Sequence, residues 1–443
     1  MPADAFPIAN LPRDFIWGVS TSSYQIEGAA REDGRGLSVW DTYSHQGKVK
    51  NNDTGDVATD HYHRYREDVA LMRKLGVNAY RFSVAWPRVL PQGRGAPNEP
   101  GLAFYDRLID ALLEVGIEPW ICLYHWDLPQ ALDDLGGWTT RDIAGWFRDY
   151  AALVGKRYGD RVKRFATFNE PSIFILFGLG FGNKRATDHA DALHRGIHHV
   201  NLAHGAAIDA LRETVPGASL GAIHNFQPCL PSSPADAKAA ERASFYWNEA
   251  YTDPQCLGIY PPFLQEKIAP HLQAGDLERI HRPVDWFGLN HYSPVFVKAD
   301  DKEITGFSFG DRPEGTKLTP INWPIMPQAF GDTLVELTRR FKLPIYVTEN
   351  GMGGYDELDA QGGVDDQNRV DFLRGYIGAM NDAVVRGADV RGYFVWSLLD
   401  NFEWDSGYSV RFGLVYVDYP TLRRIPKASF EWYRRLIEAA RAR

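Results

Sequence analysis

Residues 60–83 read DHYHRYREDVALMRKLGVNAYRFS, and the hydrophobic period changes partway along them. Tyr62, Tyr65, Val69, Met72 and Leu75 recur at spacings of three and four, which puts them on one face of an amphipathic helix. Asp60 is suited to cap its start. Gly76 is suited to stop it, because glycine adopts the left-handed conformation a helix end requires. The segment that follows, Ala79–Ser83 (AYRFS), is a short apolar run that reads as a strand carrying one polar residue, Arg81.

Working outward, runs of the same kind recur along the chain, each followed by a helix-period stretch. The strand candidates are Phe15–Ser20, Ala79–Ser83, Glu118–Tyr124, Arg164–Asn169, Leu220–His224, Trp286–Asn290, Ile345–Glu349 and Tyr393–Ser397. Helical patterns begin near Asp60, Gly101, Thr140, Asp188, Pro234, Phe330 and Asp366, and a closing helix starts at about Lys427. Eight alternating strands and helices, joined by right-handed crossovers, predict an α/β fold with a single closed (β/α)8 TIM barrel. An open doubly wound sheet is the competing arrangement. It is weakened because the first unit opens on WGVSTSSYQIEG (17–28) and carries no Gly-x-Gly-x-x-Gly. Long irregular stretches at Glu27–Thr59, Pro91–Pro100 and Tyr292–Pro327 each follow a strand and precede a helix, so they belong on the catalytic face. With no internal repeat and no interdomain linker, residues 1–443 are read as one domain with elaborate loops.

The composition is that of a globular chain, with 44% hydrophobic and 24% charged residues, which excludes disorder and coiled coil. Lys plus Arg number 48 against 57 Asp plus Glu, a net charge of −9, so neither nucleic acid nor an anionic membrane is the expected partner. The three cysteines, Cys122, Cys229 and Cys256, are too scattered for a disulfide framework or a zinc knuckle. With no signal-like start and no long apolar run (Ile173–Gly182 is too short to span), the expectation is a soluble, cytoplasmic protein. The aromatic excess, 13 Trp, 21 Tyr and 24 Phe, supplies either core or flat platforms for a ligand with apolar faces, such as a sugar.

Two carboxylates stand at predicted strand ends: Glu170 in TFNEP (167–171) and Glu349 in VTENG (347–351). The tip of a barrel strand is where this fold does its chemistry, and two such tips can face each other across the mouth. A pair of carboxyls flanking one bond suits glycoside hydrolysis. One stays protonated to assist the leaving oxygen, and the other stays ionised to attack or to activate water. Arg81 is placed to support the ionised member, or alternatively to balance another acid inside the barrel. Gln25, the run His125-Trp126-Asp127-Leu128-Pro129, Asn290 with Tyr292, and Trp396 with Glu403-Trp404 all lie beyond strand ends, where polar groups can read sugar hydroxyls and indoles can cover the ring.

These blocks resemble those of a known family. FIWGVSTSSYQIEG (15–28), YHWDLP (124–129), TFNEP, GLNHY (288–292), TENG (348–351), SLLDNFEW (397–404) and RFGLVYVD (411–418, with Phe412 counted in the site) look like the signature blocks of glycoside hydrolase family 1, the β-glucosidases, in the family's order. The resemblance implies a retaining double displacement on β-glucosides and short cello-oligosaccharides, with no cofactor or metal. Glu170 would be the general acid/base and Glu349 the nucleophile. Gln25, His125, Asn169, Glu403 and Trp404 would hold the non-reducing sugar, with Trp396 beneath it. Asn169 would bond the 2-hydroxyl, Tyr292 the nucleophile, and Trp323 would line the aglycone side. The chain departs from the pattern at His291, where a second Tyr is usual, and at Ile321-Asn322-Trp323, in place of Met-Gly-Trp. Relatives that act on 6-phosphorylated sugars carry a cation and a hydroxyl where Glu403 and Trp404 stand, so an unphosphorylated substrate is expected.

Other readings stay open at this point. A β-galactosidase or β-fucosidase of the same family fits the same residues, as does a non-catalytic sugar-binding barrel, although keeping both glutamates argues against the latter. His194 and His198 in LHRGIHHVNLAH (193–204) have a metal-pair spacing, but no Glu sits between them, and packing of the helix is the expected role of these residues and His199.

Overall fold

The computed structural model describes residues 6–180 and 189–443. Eight parallel strands close into a barrel in sequence order: β1 (Ile16–Ser20), β2 (Ala79–Ser83), β3 (Glu118–Tyr124), β4 (Arg164–Asn169), β5 (Ser219–Asn225), β6 (Trp286–Asn290), β7 (Ile345–Asn350) and β8 (Val390–Trp396), with β8 pairing back to β1. All eight expected strands are present, displaced by at most a few residues. The last runs earlier than expected, because Val390 already pairs with Ile345 of β7. The outer layer is carried mainly by α1 (His61–Leu75), α2 (Glu99–Glu114), α3 (Ile143–Tyr158), α4 (His189–Thr214), α5 (Ala237–Ser244), α6 (Pro327–Phe341), α7 (Gln367–Val385) and α8 (Ala428–Arg441). The Asp188 start expected for α4 lies outside the described residues. No helix among the described residues is long and apolar enough to cross a membrane.

The face read for α1 is the buried one: Tyr62, Tyr65, Val69, Met72 and Leu75 all pack inward, and Gly76 ends the helix at φ 83°. Asp60 does not cap it. It sits in the left-handed region at φ 55° with no side-chain cap bond, and its carboxylate instead accepts from His63 Nδ1 at 2.6 Å. The neighbouring imidazole has displaced the helix N–H groups as its donor.

Inside the barrel, Trp120 meets Trp286, Tyr346 and Phe394 with ring centroids 5.2, 4.9 and 5.1 Å away, which plugs the end opposite the strand tips. Glycines make room for these rings: a Cβ on Gly221 would lie 2.3 Å from the Trp286 ring, and one on Gly18 2.3 Å from Phe394. Bulky and small residues thus alternate to fill a closed interior at solid density. Three of the tryptophans, Trp86, Trp120 and Trp286, are fully buried core.

The loops expected to be irregular contain structure. Glu27–Thr59 holds a helix, Val39–His45, whose capping box pairs Ser38 with Asp41. Tyr292–Pro327 holds the strands Val295–Ala299 and Phe307–Phe309, which join Cys229–Pro231 in a small sheet. That sheet becomes one wall of the cavity described next.

Candidate active site

A cavity of about 610 Å³ opens at the C-terminal ends of the strands. Its wall includes His125, Trp126, Asn169, Glu170, Tyr292, Trp323, Glu349, Trp396, Glu403, Trp404 and Phe412. Eleven sequence-nominated residues therefore converge on one space from the ends of five strands and the loops that follow them. Gln25, Arg81 and Asn290 do not line it; all three are at most 1% exposed and act from behind the wall. Asn290 and Trp396 are the last residues of β6 and β8, not residues beyond the strands, since the sheet pairing reaches them.

Both acids follow a break in strand register. Pairing of β4 with β5 shifts between Ala166 and Asn169, and pairing of β7 with β6 shifts between Val347 and Glu349. A bulge of this kind re-aims the next side chain, here toward the mouth. Glu170 also takes φ 53°, and Trp126 and Trp404 take 73° and 52°. Non-glycine residues held there cost about 1–3 kcal/mol each, and such strain collects where function requires it.

The two carboxyls have unlike surroundings. Arg81 Nη1 donates to Glu349 Oε1 at 2.6 Å, and Tyr292 OH donates to Oε2 at 2.6 Å. Among the described residues, Glu170 receives only neutral amides on Oε1, from Asn225 Nδ2 at 2.9 Å and Asn290 Nδ2 at 2.8 Å. Burial, then the charge of Glu349, pushes the Glu170 carboxyl up to about 8. Burial also raises that of Glu349, but Arg81 and Tyr292 pull it back. The guanidinium beside Glu349 favours its ionised form, and the neutral amides beside Glu170 leave burial to favour its protonated form. A continuous chain joins them. Arg81 Nη2 and Asn290 Nδ2 both donate to Asn169 Oδ1, at 2.5 and 2.9 Å, and Thr348 Oγ1 fixes Asn290 by donating to its Oδ1 at 2.7 Å. With Asn169 Oδ1 occupied, its Nδ2 is left for the cavity side, 3.2 Å from His125 Nε2.

On the far wall, Gln25 Nε2 donates to Asn401 Oδ1 at 2.9 Å and Phe402 O at 2.8 Å, and approaches Glu403 Oε2 at 3.4 Å. Burial pushes the Glu403 carboxyl up to about 8. His125 lies nearly parallel to Trp396 and Trp404, with interplanar angles of 18° and 15°. Burial and the Arg81 charge hold its pKa well below the usual value, so the ring is neutral. His125 Nδ1 and Glu403 Oε1 are buried without a partner among the described residues.

Sequence reading missed Asn225, which holds Glu170 and is itself held by Trp247 Nε1 at 3.0 Å. The signal available was a polar residue one position past the expected end of the fifth strand. It also missed the Phe177, Trp247, Phe296 and Phe309 wall, whose members come from segments with no shared motif. The histidines of α4 point elsewhere: His194 to Tyr246 OH at 3.0 Å, His198 to Asp276 at 2.9 Å and His199 to Trp138 O at 3.1 Å.

Comparison with known proteins bears on this geometry. The family model described as Glycosyl hydrolase family 1 matches residues 8–442. The chain is 42% identical to β-glucosidase A of Thermotoga maritima over 97% of this chain and 98% of that one. It is 43% identical to the 1,4-β-D-glucan glucohydrolase of Thermotoga neapolitana over 96% of this chain and 98% of that one. The solved T. maritima β-glucosidase in complex with glucoimidazole superposes with a TM-score of 0.91, at 42% identity, covering 97% of this chain and 99% of that chain.

Proposed function

This chain belongs to glycosyl hydrolase family 1, and from that premise we propose that Glu349 is the nucleophile and Glu170 the acid/base of a β-glucosidase acting on unphosphorylated β-glucosides and short cello-oligosaccharides. The enzyme is a retaining O-glycosyl hydrolase. The observation that carries the assignment of roles is the asymmetry of the pair: one carboxylate paired with a buried guanidinium, the other held by amides alone.

In the first step a Glu349 oxygen attacks the anomeric carbon. The bond to the leaving oxygen breaks, and Glu170 gives that oxygen its proton. Forming the ester removes the charge of Glu349, and with it one of the two influences raising the Glu170 pKa. Glu170, now ionised, becomes the better base for the second step. It takes a proton from water as the water oxygen attacks the same carbon and Glu349 departs. Two inversions restore the starting configuration. Asn169 Nδ2 would bond the 2-hydroxyl, and Tyr292 would keep its hydrogen bond to Glu349 Oε2. Gln25, His125, Glu403 and Trp404 would hold the rest of the sugar over Trp396, the partnerless His125 Nδ1 and Glu403 Oε1 being open to hydroxyls.

The raised pKa of Glu170 has a defined sign. Its acid form persists from low pH up to about 8 and is lost above it, so kcat/KM is expected to fall along a basic limb centred near pH 8. Measuring kcat/KM from pH 5 to 10 on an alkyl β-glucoside checks this, and a limb below pH 6 would contradict it. The Glu170→Gln variant should lack the limb altogether.

Specificity at the 6-position follows from Glu403. Arg411, the cation closest to it in sequence, is engaged by Asp400 Oδ2 at 2.7 Å and Val417 O at 2.9 Å. A phosphate dianion there would have to be buried beside a carboxyl that meets it with like charge wherever it is ionised, in a dry pocket. The expected result is that kcat/KM on 4-nitrophenyl β-glucoside exceeds that on its 6-phosphate by about 100-fold or more. A preference for the phosphorylated compound would overturn the role given to Glu403. The matched β-galactoside and β-fucoside, run in the same series, rank the sugars.

A further inference from the structure

Beyond the sugar pocket the cavity continues between two aromatic walls. One is built from Phe177, Trp247 and Phe309: Phe177 stacks on Phe309 with interplanar angle 12° and centroids 6.4 Å apart, and Trp247 meets both edge-on. Phe177 and Phe309 are 47% and 50% exposed, and both line the cavity. The facing wall is Trp323, 39% exposed, set against Tyr292 and Phe412 with centroids 5.4 and 5.8 Å away. Tyr292 donates to Glu349, so this second wall reaches the reacting centre directly. The two walls leave a slot with apolar faces on both sides.

Where the walls meet, the cavity lining includes one Lys or Arg among the described residues, Arg312. It follows Phe309 by three residues, and Nη1 donates to the backbone oxygen of Asn322, the residue before Trp323, at 3.3 Å. Arg312 thus ties one wall to the other. It forms no ion pair among the described residues, although Asp311 and Glu314 flank it in sequence. The other Asp, Glu, Lys and Arg residues of the lining among the described residues, Glu170, Glu349, Glu403 and Asp405, are all acids. A guanidinium with donors to spare, beside an aromatic slot, matches a planar carboxylate better than it matches a sugar hydroxyl.

We infer that the outer cavity accepts a flat aromatic aglycone whose far end carries a carboxylate bound by Arg312, so that phenolic-acid β-glucosides are a substrate class of this enzyme. The inference rests on the β-glucosidase reading above. The chemistry is unchanged: water and the aryl glucoside give glucose and the free phenol, the phenolic oxygen receiving the proton of Glu170.

The test compares the 4-O-β-glucoside of 4-hydroxycinnamic acid with that of its methyl ester. The two phenols leave about equally well, so the leaving group cancels and the charge remains. For wild type at low ionic strength, KM for the acid should be about fivefold below that for the ester, and the advantage should shrink on adding 0.5 M salt. Arg312→Gln should raise KM for the acid about fivefold with kcat kept, and should leave the ester within about twofold. Phe309→Ala should raise KM for both. Equal effects of Arg312→Gln on acid and ester, or a wild type indifferent to the charge, would overturn the role of Arg312. An unchanged KM for both compounds in Phe309→Ala would overturn the slot. Failure to hydrolyse 4-nitrophenyl β-glucoside would instead count against the parent reading, so the two failures are distinguishable.

Discussion

Replacing Glu349 with alanine is expected to lower kcat on every β-glucoside by about 10⁵-fold or more, the scale at which losing a covalent nucleophile acts. Among the described residues no other carboxylate is positioned to substitute. Glu170 is held by two amides and is needed as the acid, and Glu403 lies against Gln25 on the far wall. The change also strands Arg81, which is 1% exposed and would keep the neutral Asn169 and Cys122 beside its charged group. Leaving one member of a buried pair uncompensated costs about 3–5 kcal/mol, so the variant should melt at lower temperature. Loss of fold and loss of nucleophile can be told apart. A small anion such as azide entering the vacated space should restore cleavage of an activated aryl glucoside, with the α-glucosyl azide as product. Rescue yielding the β product, or full activity without azide, would remove Glu349 from its role.

Glu170→Gln should produce a loss that depends on the leaving group. An alkyl β-glucoside, whose oxygen must be protonated as it departs, should lose about 10³–10⁴-fold in kcat/KM. A dinitrophenyl glucoside needs no such help, so its first step should stay fast. The second step, deprived of its base, should be slow and let the glycosyl-enzyme accumulate as a burst of phenol. Glutamine is close in shape to the protonated acid, so Asn225 and Asn290 can stay in place and the fold should be little disturbed. Stopped-flow measurement of the phenol, with mass spectrometry of the intact protein for the added hexose, checks both halves. Equal losses on the two substrates would show that Glu170 is not the acid.

These expectations draw on two kinds of information that the chain carries differently. The barrel was legible because its signal is local. The face of α1 repeats at helical spacing, and each strand is a short apolar run that ends in polar residues. The errors fell where a partner from elsewhere competes. Asp60 looks like a cap in sequence, but His63 takes its carboxylate, and Val390 joins the sheet because β7 is waiting beside it.

The amino-acid sequence by itself determined which residues meet, since the order of strands in a closed barrel dictates whose tips face the mouth: Glu170 after β4 and Glu349 at the end of β7 were readable for that reason. Only the tertiary structure decided how the two differ. That Glu349 has Arg81 and Tyr292, while Glu170 has Asn225 and Asn290, depends on bulges in β4 and β7 and on side chains from strands far apart in sequence. The aromatic slot is decided the same way, from Phe177, Trp247, Phe309 and Trp323. Periodicity reports which face of an element is buried. The electric field at a carboxyl and the shape of a cavity are sums over neighbours that only folding assembles.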